Sequence, residues 1–170
     1  MARPHKDQLA TSTSVDLTPV IERDLLDIRV SLSTLVHWAD SQEVRREVMA
    51  AIDFPVDELS MFLVVNQLTL RGAMRPRDLA TVLGTGQANM TKIAHRLQDH
   101  NLIVRVPSPS DDRGILLALT AEGRAMGERI VAFSSSKLEA TLAHWSAKDR
   151  DALNLTLARL ARDMAAPGFH

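Results

Sequence analysis

Asn101-Leu-Ile-Val-Arg-Val-Pro-Ser-Pro-Ser-Asp-Asp-Arg-Gly-Ile-Leu-Leu-Ala-Leu-Thr120 is the stretch whose reading decides the fold. Two short apolar runs flank a polar centre, which predicts a β-hairpin. The connection from Pro107 to Gly114 exceeds a two-residue turn and carries two prolines, so a protruding loop with Arg113 near its tip is expected.

Immediately upstream, Met90, Ile93, Ala94 and Leu97 fall at i, i+3, i+4 and i+7, which gives a helix from Gln87 to His100 one buried face. Its other side carries Gln87, Asn89, Thr91, Lys92, His95 and Arg96. Asn101 follows this helix at the capping place that needs a left-handed backbone, where Asn is the best substitute for Gly. Gly84-Thr85-Gly86 is a tight break, and Arg75-Pro-Arg-Asp-Leu-Ala-Thr-Val-Leu83 before it is a short helix with Pro76 at its start.

Further out the chain reads as helix on both sides. Residues 1–14 are polar and aperiodic, a mobile tail. From about 17 to 39, Ile21, Leu25, Ile28, Leu32 and Leu35 make a narrow coiled-coil-like seam. A second helix spans Ser41 to Ile52 and stops at Asp53-Phe54-Pro55. Pro55 suits the first turn of a third helix running to Arg71, with Leu59, Phe62, Leu63, Asn66 and Leu70 inward and Gly72 as the stop. After the hairpin, Thr120 caps a long helix with Gly123 early in it. Ser146 caps a last one in which Leu153, Leu157, Leu160 and Met164 repeat the seam.

The predicted fold is mainly α with a small β-hairpin wing: a winged helix-turn-helix flanked by N- and C-terminal dimerisation helices. The expected organisation is a tail at 1–14, N-terminal dimerisation helices at 15–54, the winged lobe at 55–124 and C-terminal dimerisation helices at 125–170. One narrow apolar stripe per flanking helix is not a self-sufficient core, so the stripes are expected to interlock with each other and with a second copy.

Composition narrows the function. With no cysteine, disulfides, thiolate metal sites and thiol redox sensing are excluded. His5, His37, His95, His100, His144 and His170 are scattered without ligand spacing, so no metal or cofactor is expected. Apolar runs such as Met61 to Val65 are far short of a membrane span, and no signal-peptide pattern is visible, which makes a cytoplasmic protein the expectation. No Ser-His-Asp order, phosphate-binding glycine loop or His-carboxylate cluster suggests an enzyme.

The net charge of −1 hides a gradient: residues 1–70 hold six basic against eleven acidic side chains, and residues 71–124 hold eight against five. The basic excess thus sits on the helix-plus-hairpin region, where contact with phosphates needs it. Gln and Asn on the exposed helix face can pair with adenine edges in a major groove. Lys92, Arg96, Arg75 and Arg77 can neutralise phosphates. Arg113 on a thin loop can enter the minor groove. The expected DNA-contacting set is Arg75, Arg77, Gln87, Asn89, Thr91, Lys92, Arg96 and Arg113, and the partner is double-stranded DNA.

The same residues resemble the MarR family of winged-helix transcriptional regulators. The resemblance runs from about Leu59 to Arg129. It is densest at Arg77-Asp-Leu-Ala80, Met90-Thr-Lys-Ile-Ala-His-Arg-Leu97, Leu102-Ile-Val-Arg105 and Asp111-Asp-Arg-Gly-Ile-Leu-Leu-Ala-Leu-Thr-Ala-Glu-Gly-Arg124. It implies a wing arginine, Arg113, reaching the minor groove, with Asp111 helping to hold the wing. It also implies a homodimer on a near-palindromic operator, and a small aromatic or lipophilic effector bound between dimerisation helices and DNA-binding lobe. For that effector the candidate residues are His37, Trp38, Phe54, Met61 and Phe62. The chain departs from the family pattern at Asp112, where a second arginine is common, at Gly86, which replaces a hydroxyl-bearing cap, and at Asn101, which replaces glycine. The function so read is a dimeric, sequence-specific regulator, a repressor released by its effector. The alternative is a winged-helix protein–protein interaction module without a specific DNA site.

Overall fold

A computed structural model describes residues 18–109 and 111–166, with the side chains of Asp112 and Arg113 outside the description. The expected tail at 1–14 lies outside the described residues. The chain divides into two compact units, one ending at Asp40 and one beginning at Ser41.

In the first unit the helix expected from residue 17 begins only at Ile28, as α1 (Ile28–Asp40). Side-chain oxygens take the backbone N–H groups that a longer helix would use. Asp24 Oδ1 accepts from the Leu26 N–H and Asp27 Oδ1 from the Arg29 N–H, each at 2.9 Å. The Arg29 guanidinium folds onto the same Asp27 carboxylate at 2.6 Å. That charged hydrogen bond, with the Arg29 N–H second, holds the Asp27 carboxyl below its ordinary value. Ile21 and Leu25 therefore precede the helix, and the seam on α1 reduces to Ile28, Leu32 and Leu35.

The second unit contains α2 (Gln42–Ala51), α3 (Leu59–Arg71), α4 (Pro76–Val82), α5 (Gln87–Asp99), β1 (Ile103–Ser108), β2 (Asp111–Leu119), α6 (Ala121–Thr141) and α7 (Ala147–Met164). Ser41 caps α2, accepting from the Val44 N–H. The helix ends with Asp53 at a φ of 52°. The Phe54 N–H returns to the Met49 carbonyl at 2.9 Å and closes a Schellman motif. Pro55 lies in the turn that follows, and α3 starts at Leu59 rather than at the proline.

Helix α3 is the axis of the core. Met61, Phe62, Val64, Val65 and Leu68 are buried, each worth on the order of 1.5–3 kcal/mol over exposure. Leu70, expected inward, is 67% exposed, because at about 100° per residue it lies on the opposite side of the helix from the buried Met61, Val64, Val65 and Leu68. Around α3 pack Met49 and Ile52 of α2, Leu79 and Ala80 of α4, the apolar face of α5, Leu102, Ile103 and Leu117 of the hairpin region, and Met126 and Ile130 of α6. Arg129 of α6 donates to the Ile52 carbonyl at 3.0 Å and ties the long helix to the end of α2.

Helix α7 has no buried residue. Arg150 fastens its first turns, donating to Glu139 Oε2 at 2.9 Å and to the Leu142 carbonyl at 2.6 Å. No described helix is long and apolar enough to cross a membrane.

Candidate nucleic-acid interface

The candidate interface is built from α4, α5 and the hairpin. Arg75 stands at the N-cap of α4 and Pro76 at its first turn, where the missing N–H costs nothing. Helix α4 closes with Gly84 at a φ of 60° and the Thr85 N–H on the Ala80 carbonyl at 2.9 Å. That left-handed turn redirects the chain into α5, making a helix-turn-helix. Gly86 caps α5 without a side-chain hydrogen bond.

On α5 the buried residues are Met90, Ile93, Ala94 and Leu97, the face read from the sequence. At about 100° per residue the opposite line runs through Ala88, Lys92, His95 and Asp99. Gln87 and Thr91 flank it on one side, Asn89 and Arg96 on the other, and all of these are exposed. Ala88 and His95 are absent from the expected contact set although they lie at the centre of this face. The helical period carries that signal, whereas side-chain chemistry alone does not. Two polar side chains are partly engaged: Asn89 Nδ2 donates to Thr85 Oγ1 at 2.9 Å and the Thr91 hydroxyl to the Gln87 carbonyl at 3.0 Å. The helix ends at Asn101, φ 54°, with the Leu102 N–H returning to the Leu97 carbonyl at 2.9 Å.

The hairpin is antiparallel and regular from Ile103↔Leu119 to Pro107↔Ile115. Instead of the long loop expected between Pro107 and Gly114, Ser108 pairs with Asp111, so Asp112, Arg113 and Gly114 form a bulge within β2. Gly114 permits it: a Cβ there would stand 2.9 Å from the Ser108 Cβ. Arg113 thus belongs to β2 by its backbone, and its side chain lies outside the description.

Two clamps fix the hairpin to the helices. Met74 and Leu117 exchange both backbone hydrogen bonds, at 3.1 and 2.8 Å, adding a one-residue third edge just before α4. Thr120 caps α6 by accepting from the Gly123 N–H at 3.0 Å, and its hydroxyl donates to the Asn101 carbonyl.

Three of the expected phosphate contacts meet carboxylates. Arg75 lies 3.4 Å from Asp111, Arg77 lies 3.4 Å from its neighbour Asp78, and Arg96 pairs with Glu58 at the N-cap of α3. Asp111 therefore reaches back to the start of α4. Sequence reasoning gave no role to Glu58, which is far from α5 in the chain and carries no motif. Arg105 on β1 is likewise drawn to α5, donating to Gln98 Oε1 at 3.1 Å.

The residues proposed for an effector are distributed over both units. His37 and Trp38 are exposed on α1 of the first, Trp38 by 58%. In the second, Met61 and Phe62 are buried, and Phe54 meets Phe62 edge-on at 5.7 Å. A cavity of about 420 Å³ opens between α3 and α6, lined by Leu68, Thr69, Leu119, Arg124 and Glu128 among others, and by none of those five. No group of three or more potential ligands that could hold a metal ion occurs among the described residues.

The fold and this surface define a winged helix-turn-helix protein. Residues 58–115 match the model of the MarR family. Two relatives are each 27% identical: the multiple antibiotic resistance protein MarR of Escherichia coli over 108 residues, covering 62% of this chain and 73% of the relative, and the HTH-type transcriptional repressor MdtR of Bacillus subtilis over 106 residues, covering 62% and 65%. Among solved structures, a MarR family protein from Bacillus stearothermophilus superposes with a TM-score of 0.65 at 16% identity, covering 81% of this chain and 96% of that one. NadR in complex with 4-hydroxyphenylacetate gives 0.54 at 22%, covering 85% and 98%. The matched segment, which holds the helix-turn-helix and most of the wing, is similar to the MarR family of transcriptional regulators.

Proposed function

We propose that this chain is a dimeric, sequence-specific DNA-binding repressor that leaves a near-palindromic operator when a small aromatic or lipophilic effector binds. The observation that carries the reading is the presentation of α5. Its four apolar residues are sealed in the core while Lys92, His95 and the flanking polar side chains face outward, and the hairpin beside it is held at its base and along β2. Such a helix suits a major groove, and an arginine in the bulge beside it suits the adjacent minor groove.

Dimerisation is supported by the apolar residues that a single chain leaves exposed on α1 and α7: Ile28, Leu35, Leu157 and Met164 among them. Two-fold symmetry then calls for half-sites roughly 10 bp apart. Repression and effector release rest on the family resemblance and on similar proteins, one a named repressor and another bound to 4-hydroxyphenylacetate. Entry of an effector at Phe54, Met61 and Phe62 requires the core to open, since the last two are buried. The α3–α6 cavity, with Arg124 at its rim, is a preformed alternative for an aromatic acid. Members of this family are regulators and not enzymes.

Footprinting on DNA flanking the chain's own gene tests the reading. A protected near-palindrome is expected, with Arg113→Ala weakening binding by about 1–3 kcal/mol. Uniform binding with no protected site would leave the interaction-module reading in its place.

A further inference from the structure

Arg96 stands at the edge of the exposed face of α5, its side chain 51% exposed, and forms an ion pair through Nη1 with Glu58 Oε2. Glu58 is held in that position. Its other oxygen accepts the Ser60 hydroxyl at 2.8 Å, and its side chain is 29% exposed. A carboxylate at an N-cap ordinarily turns to its own helix, yet Glu58 makes no side-chain cap bond to α3. It is directed instead across to the helix presented to DNA.

A carboxylate on a guanidinium offers the charge and acceptor geometry that a phosphate would offer. We infer that Glu58 is an internal surrogate for a DNA phosphate, which occupies Arg96 in the free protein and subtracts from its contribution to DNA affinity. The inference rests on the reading of α5 as the DNA-contacting helix. Taking Arg96 to a phosphate strips Glu58 of its partner and leaves a carboxylate near the polyanion. The exchange therefore yields little net affinity and little net counterion release. The pair is exposed enough to be exchanged rather than locked. Glu58 differs from the other two carboxylates in origin: Asp78 and Asp111 come from α4 and the wing themselves, whereas Glu58 belongs to the start of α3. Affinity for DNA is thus coupled to the position of the turn before α3.

The test uses the full chain and the duplex that it protects, titrated between about 50 and 200 mM salt. Glu58→Gln is expected to bind about three- to tenfold more tightly at the low end, with a salt slope steeper by about one ion. Arg96→Gln is expected to change affinity less than about twofold in the native background and to abolish the gain in the Glu58→Gln background. If Glu58 only braces Arg96 for DNA, Glu58→Gln weakens binding and Arg96→Gln costs most in the native background, which overturns the inference. Should Glu58→Gln melt well below the native chain, Ser60→Ala releases the carboxylate without removing its charge. A smaller gain in affinity is then expected, and no gain overturns the inference. If the native chain protects no site, the DNA reading itself fails and this inference fails with it; a protected site with an unchanged Glu58→Gln removes this inference alone.

Discussion

Gly123 lies so close to Leu102 that a Cβ on it would stand 1.9 Å from the Leu102 carbonyl oxygen. The same carbonyl accepts the Thr120 N–H at 3.1 Å. The first turn of α6 is therefore seated on the backbone just after α5. Gly123→Ala gains roughly 1 kcal/mol of helix propensity but forces apart two backbones that cannot yield as a side chain would. A net loss of about 1–3 kcal/mol in denaturant unfolding is expected, and unchanged stability would show that the seat is looser than the geometry states.

One turn later Gly127 faces Thr69 of α3, where a Cβ would come within 2.3 Å of Oγ1. Here the obstacle is a side chain, and its hydroxyl donates to the Val65 carbonyl at 2.8 Å. Gly127→Ala should destabilise by about 1–2 kcal/mol. Thr69→Ala in the same chain should recover most of that, because the clashing atoms are gone. A double variant as unstable as the single would place the cost elsewhere.

Asn101 holds a φ of 54° between α5 and the hairpin. A β-branched side chain is strained there, so Asn101→Val should lose about 1–2 kcal/mol. Asn101→Gly should match or exceed the native midpoint. The interaction that Asn101 makes with the Thr120 hydroxyl uses its carbonyl, which both variants keep. A Gly variant clearly below the native chain would mean that the Asn side chain has work of its own.

Leu157 on α7 is 49% exposed in the single chain. If the stripes on the flanking helices form the dimer, Leu157→Glu should shift the chain toward monomer in sedimentation at micromolar concentration without lowering its helix content. An unaltered sedimentation profile would take α7 out of the interface.

Much of the winged helix-turn-helix is legible in one sequence because its signals are local. The period of Met90, Ile93, Ala94 and Leu97, the Gly84 turn, the Asn101 cap and Thr120 before α6 each depend on residues within a turn or two. The late start of α1 is local too, but it is a competition: Asp24 and Asp27 claim the backbone N–H groups against an apolar period that reads as helix. The hairpin connection departs from expectation for a different reason. Length and proline content suggest a free loop, whereas the pairing of Ser108 with Asp111 turns most of it into strand and bulge.

By itself the sequence determined the order of elements, the buried face of α5, the wing and the family they resemble, since periodicity, capping and turn chemistry act over a few residues. Tertiary structure decided which charges meet. Glu58 reaches Arg96, Asp111 reaches Arg75 and Arg129 reaches the Ile52 carbonyl across long stretches of chain. It also decided that Gly123 and Gly127 are contact points rather than helix defects. No local signal encodes such pairs, because each is fixed only when the packing of α3 against its neighbours brings separate backbones and side chains within reach.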